Sequence, residues 1–205
     1  MDKQTFLKQL AVELHKPVKT KFLRRKVSFQ YIDQVWCADL VDLSVYSKEN
    51  KGYKWMMNMI DGFSRFAFSK PMRDKSAKST FDAFAAIVKR SGRSPERIWC
   101  DQGAEFVNST FKKAGYSPDK GTMYFVHNEG KSVIVERFNR TLKEMAWRRS
   151  TELQTEDWVE MLPELVDEYN NRKHSTLGMS PAEASKEENV EKVEPRVNHV
   201  VAEPP

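Results

Sequence analysis

The sequence predicts an α/β fold in which helices cover both faces of a mixed five-stranded sheet. Three observations predict it. Strand-like runs come early, at residues 34–43, 53–60 and 65–70. Helical and strand spacing then alternate through 76–90, 97–100, 104–113 and 122–126. From 132 to 172 the spacing is helical. That order fits a sheet layered between helices.

Each element has its own signal. Residues 4–15 (QTFLKQLAVELH) place Phe6, Leu7, Leu10 and Leu14 on one side, an amphipathic helix that Pro17 ends. Lys19 to Lys26 is a basic connector. In QVWCADLVDL (34–43), alternation puts Val35, Cys37, Asp39 and Val41 on one face, and Trp36, Ala38 and Leu40 on the other. YKWMMNMI (53–60) is a second strand. Asp61-Gly62 is a turn signal, and a third strand over 65–70 completes a meander that Pro71 closes. Phe81, Phe84, Ala85 and Val88 recur at helical spacing, with Gly92 and Pro95 beyond the end. RIWC (97–100) is a short buried strand leading into Asp101-Gln102-Gly103, where the glycine lets the backbone turn sharply. Residues 104–113 read as helix and TMYFV (122–126) as the last strand. His127 to Lys131 is polar, contains Gly130 and is expected to be a mobile loop. Helices follow over 132–150 and 156–172, the second with Trp158, Met161, Leu162, Leu165 and Tyr169 as its core stripe and a kink at Pro163. Ser180-Pro181-Ala182-Glu183 carries a capping box with proline at the first helical position. Beyond about Glu188 no periodicity is visible. The expected organisation is a basic helix and linker over 1–30, a core over 31–187 and a flexible tail over 188–205.

Composition narrows the class. With 40% hydrophobic and 31% charged residues, the chain belongs with globular proteins, not with disordered or fibrous ones. No apolar run approaches the ~18 residues of a membrane span, and Met1-Asp2-Lys3-Gln4 lacks a signal-peptide layout. Cys37 and Cys100 form no CxxC, and His15, His127, His174 and His199 have no zinc-finger spacing. Two reduced, buried thiols fit an intracellular protein. The net charge of +5 is skewed: residues 1–30 hold eight Lys/Arg against Asp2 and Glu13. A basic end suits phosphates, and equally a solvated tail.

Three carboxylates stand out. Asp39 sits mid-strand among apolar neighbours, where an unpaired carboxylate is costly and usually has a partner or a metal. A salt bridge or an exposed edge accounts for it as well. Asp42, at the strand end on the other face, is the solvated control. Asp101 directly follows a buried strand, and functional groups gather at strand carboxyl ends in α/β sheets; capping a helix near Ala104 is the plain alternative. Glu136 shares a helix face with Asn139, Arg140, Lys143 and Trp147, opposite Ile134, Phe138, Thr141, Leu142 and Met145. That face reads as a metal ligand beside phosphate-binding cations, or as an exposed Glu136–Arg140 pair worth ~0.2–0.5 kcal/mol. Together the three form a hard-oxygen set suited to Mg²⁺ or Mn²⁺. Two such ions can promote in-line displacement at phosphorus.

The runs VWCADL, MNMIDGFSRFAFSKPM, CDQGAEFVN, VERFNRTLK and YNNRKHSTLGMSPAEA, in this order, resemble the catalytic core of retroviral-type integrases. The resemblance covers roughly residues 30–187 and is nearest to integrases of Polinton/Maverick elements and virophage-like viruses. It implies a ribonuclease-H-like fold. Its catalytic and metal-binding triad falls on Asp39, Asp101 and Glu136, with two Mg²⁺ (or Mn²⁺) ions in the active complex. It implies DNA contacts at Arg140 and Lys143, to which the polar Asn139 and Lys131 are added, and an active-site loop over about 127–132. The implied chemistry is 3′-end processing followed by strand transfer. The implied partners are double-stranded DNA and a second copy of the core, with higher assembly on DNA and no membrane. The expected setting is the nucleus of a eukaryotic host or a viral particle. One departure is spacing: 34 residues separate Asp101 from Glu136, one fewer than the family's commonest 35. Another is the lack of a match to the family's zinc module and C-terminal DNA-reading domain, so the chain reads as a core with linker ends. Asp61, Ser64 and Arg65 are expected in the turn after the second strand, Trp36 and Trp99 in the core, and Asn170 and His174 in late-helix packing. Two other classes remain at this point: a ribonuclease-H-like nuclease that cuts without joining, and a domesticated binding or assembly module.

Overall fold

The alternation in VWCADLVD yields the central strand, β1 (Val35–Asp42), of the computed structural model, which describes residues 28–125 and 133–198. The helix expected over 4–15, the basic connector, the loop over 127–132 with Lys131, and the last seven residues lie outside the described residues. An antiparallel meander follows, β2 (Trp55–Asp61) and β3 (Ala67–Met72). On the other side of β1, β4 (Arg97–Cys100) pairs in parallel, and β5 (Met123–Phe125) pairs in parallel with β4. The order is β3-β2-β1-β4-β5, the mixed five-stranded sheet expected. Parallel neighbours need long crossovers. Helix α1 (Ala77–Ser91) supplies one; turns and the short helix α2 (Ser109–Lys113) supply the next.

Ends of elements differ from expectation for identifiable reasons. Pro71 lies inside β3, because β3 is an edge strand where the missing N–H deprives no neighbour. Helix α2 begins near 109, not 104, since Asn108 caps it by accepting from the Thr110 and Phe111 amides. The backbone does turn sharply at Asp101–Gly103, the Gly103 amide donating to the Asp101 carbonyl at 2.8 Å, although Gly103 itself is not in the left-handed region. Helices α3 (Val133–Leu153) and α4 (Trp158–Asn171) follow, and α4 continues through Pro163. The capping box opens α5 (Pro181–Ala184) as expected.

The loose tail expected from 188 is corrected as far as Asn198. A 3₁₀ turn at Glu187–Asn189 leads into α6 (Val190–Val197). Its Val193 is fully buried in a cluster with Phe29, Val35, Phe63, Leu177 and Ala184. Asn198 accepts from the Phe29 amide and donates to its carbonyl, both at 2.9 Å. Valines at 190, 193 and 197 do have helical spacing, but two highly charged turns interrupted by Pro195 are too short to show it. The packed unit therefore begins by Phe29 and extends to Asn198, beyond the 31–187 expected.

The sheet separates two cores. Trp36, Ala38, Met57 and Met59 meet Phe84 and Ile87 of α1. On the other face Cys37, Val41, Met56 and Ile60 meet Val135, Phe138 and Leu142 of α3, and Met161 and Leu165 of α4. Each large side chain buried this way contributes about 1.5–3 kcal/mol. By alternation, Asp39 belongs to the face that α3 covers.

Candidate active site

Strand register assembles the site first. Asp39 of β1 faces Asn58 of β2, and Asn58 faces Ser69 of β3. These three polar residues form one row across three strands, on the α3 side of the sheet. The parallel β1–β4 ladder pairs Cys37 with Trp99. Carried two residues on, that register sets Asp101 level with Asp39, just past the end of β4. Helix α3 supplies the third carboxylate, Glu136, in its first turn.

Asn139, one turn after Glu136, locks α3 to this row. Its Nδ2 donates to Asp39 Oδ2 at 2.6 Å, and its Oδ1 accepts from Asn58 Nδ2 at 2.7 Å. Asn58 Oδ1 in turn accepts from Ser69 Oγ at 2.5 Å. Asn58 is 0% exposed, Ser69 3% and Asn139 8%, so the chain of bonds is buried to its last member. Asp39 Oδ1 accepts from the Leu40 amide at 2.9 Å. Each carboxylate oxygen thus has one fixed protein donor and a lone pair to spare.

Asp101 and Glu136 lie near enough for their charges to bear on Asp39. Burial raises the Asp39 carboxyl above its ordinary range, and the charges of Asp101 and Glu136 push it up further. The Leu40 amide and the Asn139 side chain pull the other way. A half-buried carboxylate under pressure from two like charges is the setting that a divalent cation relieves. The all-oxygen donor set fits a hard ion such as Mg²⁺ or Mn²⁺. As placed, no three His, Cys, Asp or Glu side chains among the described residues stand close enough to hold one ion. Asp101 and Glu136 are both exposed, so their side chains can turn without unpacking the core.

Other expected residues fall as follows. Arg140 is exposed on the Glu136 face. Lys143 is half-buried and lines a cavity with Trp147, itself 59% exposed. Asn139, expected as a DNA contact, is 8% exposed, and its amide is engaged with Asp39 and Asn58, so it positions a carboxylate. Lys131 lies outside the described residues. Asp42 is exposed and accepts from the Ser44 amide, as befits the solvated control. Asp61 accepts from Ser64 in the turn after β2, and Trp36 and Trp99 pack in the cores. Asn170 binds both the amide and the carbonyl of Ala67, pinning the edge strand to α4. Both cysteines are buried thiols. No helix among the described residues is long and apolar enough to cross a membrane. Sequence reasoning missed Asn58 and Ser69. The available signal was a polar residue within an otherwise apolar run, MMNMI, on the inward face.

Comparison with known proteins agrees with this fold. Residues 32–117 match the integrase core domain family. A transposon-derived protein of Caenorhabditis elegans is 30% identical over 144 residues, spanning 70% of this chain and 50% of that protein. The Gag-Pol polyprotein of Walleye dermal sarcoma virus is 34% identical over 131 residues, 61% of this chain and 7% of the polyprotein. The chain thus spans half or less of these relatives. Among solved structures, the HTLV-2 integrase catalytic core domain in complex with magnesium, in its trimeric form, superposes with a TM-score of 0.61 at 16% identity, covering 79% of this chain and 100% of that one. The fold is therefore the ribonuclease-H-like fold of retroviral integrase cores.

Proposed function

We propose that this chain is the catalytic core of a DNA integrase, a polynucleotidyl transferase that processes 3′ ends and joins them to target DNA. The observation that carries the reading is the parallel β1–β4 register, which sets Asp101 level with Asp39, together with Glu136 in the first turn of α3, near enough for its charge to bear on Asp39. Asp39, Asp101 and Glu136 would hold the divalent cations. When bound, a pair of such ions supplies activation of the attacking water or 3′-hydroxyl and charge neutralisation at the leaving oxygen. Asp39 is held in one orientation by Asn139 and the Leu40 amide. Arg140 and Lys143 lie on α3 within two turns of Glu136, where they meet DNA phosphates. The working form is a dimer through the core with higher assembly on DNA, in a nucleus or a viral particle. The runs NKGYKW, ERFNRTLK and YNNRKH support a kinship with Polinton/Maverick and virophage-like elements within this reading.

The experiment pairs Mn²⁺ calorimetry with a joining assay on a recessed-3′-end duplex. Asp39→Asn and Glu136→Gln are expected to abolish joining and weaken Mn²⁺ binding, with thermal unfolding still cooperative. Joining at native rates in either variant removes the assignment. Cleavage without joining in the native protein replaces it with a nuclease.

A further inference from the structure

A cavity of about 530 Å³ runs beside α3, away from the carboxylates. Arg137, Thr141, Glu144 and Arg148 line it, each one residue after the stripe of Glu136, Arg140, Lys143 and Trp147. One residue is roughly 100° around a helix, so α3 shows the cavity a different side from the one it shows the active site. The opposite wall comes from the end of α4 and the chain after it, including Arg172 and Lys173.

Its charge is lopsided. Arg65, Arg137, Arg148, Arg172 and Lys173 line it, against Glu144 alone among the described residues. None of the five cations is ion-paired to an acid among the described residues. Arg65 is 9% exposed, donates to the Gly62 carbonyl and lies 5.4 Å from the Phe29 ring centre. It holds this place with a φ of 59°, a conformation non-glycine residues rarely adopt. His174 registers the resulting field. Burial, Arg65 and Arg137 together press its imidazole down to about 4, so it adds no charge at neutral pH.

Length identifies the ligand class. Arg137 and Arg148 are three helical turns apart, about 16 Å. One strand of a duplex carries a phosphate for about every 3.4 Å of helix axis, so this span laid along the axis covers roughly five of them. A single phosphate would leave most of the cations unused. We propose that this groove is a second phosphate-backbone track, which holds a duplex segment other than the one at the carboxylates. The inference rests on the reading of the chain as a DNA-joining core, in which two DNA segments must meet on one protein.

The test measures binding of a fluorescein-labelled duplex to the full chain by anisotropy across a salt series. The variants are R137Q/R148Q in the groove and R140Q/K143Q beside the carboxylates. All four residues are exposed or half-buried, so folding is expected to persist, and thermal unfolding checks it. R137Q/R148Q is expected to weaken binding and to flatten log K against log salt by roughly 0.9 for each phosphate no longer neutralised, about 1.8 for the pair. R172Q/K173Q, on the facing wall, is expected to do the same. Native affinity and slope in both groove variants overturn the proposal, whatever R140Q/K143Q does. Inorganic tripolyphosphate that raises the unfolding temperature through these residues, with duplex binding unchanged in the groove variants, also overturns it in favour of a small-anion site. Loss of binding in R140Q/K143Q with native groove variants leaves the integrase reading intact and the groove proposal refuted. Native joining by Glu136→Gln sinks the integrase reading separately.

Discussion

Substituting leucine for Asn139 removes the amide that ties α3 to Asp39 while nearly conserving volume. Two hydrogen bonds disappear. The one to the Asp39 carboxylate, 2.6 Å long, is charge-assisted and contributes about 1.5–3 kcal/mol. The other leaves Asn58 Nδ2 without an acceptor in a fully buried position, a further cost of about 1–3 kcal/mol. Water can reach half-buried Asp39, and burial of the leucine returns part of the loss, about 1–2 kcal/mol. The net destabilisation is therefore about 0.5–5 kcal/mol, centred near 3. Urea unfolding in metal-free buffer reads it as a lower midpoint with an unchanged slope. Adding Asn58→Leu removes the orphaned donor, so the double variant should cost less than the sum of the singles by about 0.5–3 kcal/mol. A second readout is the Asp39 carboxyl itself, followed by NMR titration. Asn139 donates to the charged form and holds the pKa down, so the substitution should move it further up. The folded state then binds a proton more readily than the unfolded one, and stability falls as pH rises through that window. A loss under about 0.5 kcal/mol, with an unmoved Asp39 titration, would refute the polar row as the device that fixes the site.

Three further outcomes follow from packing and charge. Gly62→Ala sets a Cβ 2.3–2.8 Å from three ring atoms of Phe29, which is 1% exposed, and should cost about 1–3 kcal/mol in thermal unfolding; Gly103→Ala meets only the Glu105 carboxyl, a side-chain end that can swing away, and should cost well under about 1 kcal/mol. Equal effects from the two glycines would contradict this. Val193→Ala strips two methyl groups from a fully buried site and should destabilise by about 2 kcal/mol, whereas a neutral result in denaturant melts would mean that α6 does not pack on Phe29. His174 ionises near 6.5 when unfolded and near 4 when folded, so the unfolded chain takes up the proton first. Stability should thus be lost as pH falls from about 6.5 to about 4, and His174→Gln should flatten that stretch of the stability–pH curve; an unchanged curve would place the titration elsewhere.

Much of the fold was legible because its signals are local. Alternation in VWCADLVD defined β1 and put Asp39 on the inward face, and the helical spacing of Phe81, Phe84 and Val88 defined α1. Ser180 and Glu183 announced a helix start through bonds spanning only four residues. Pro71 misled because its reason is not local: it depends on which strand lies at the edge. Asn198 and Val193 gave no clue, since what they hold, Phe29, is 169 residues from Asn198 along the chain.

The same division runs through the site. By itself the sequence determined the chemical identity of three acids and the elements that carry them, since periodicity is a property of neighbouring residues. Only the tertiary structure decided that Asn139 serves Asp39 from 100 residues away, that Asn58 and Ser69 extend the row, and that five cations share one groove. Hydrogen bonds and unscreened charges act across a few ångströms of space, and chain folding, not chain order, sets which groups come that close.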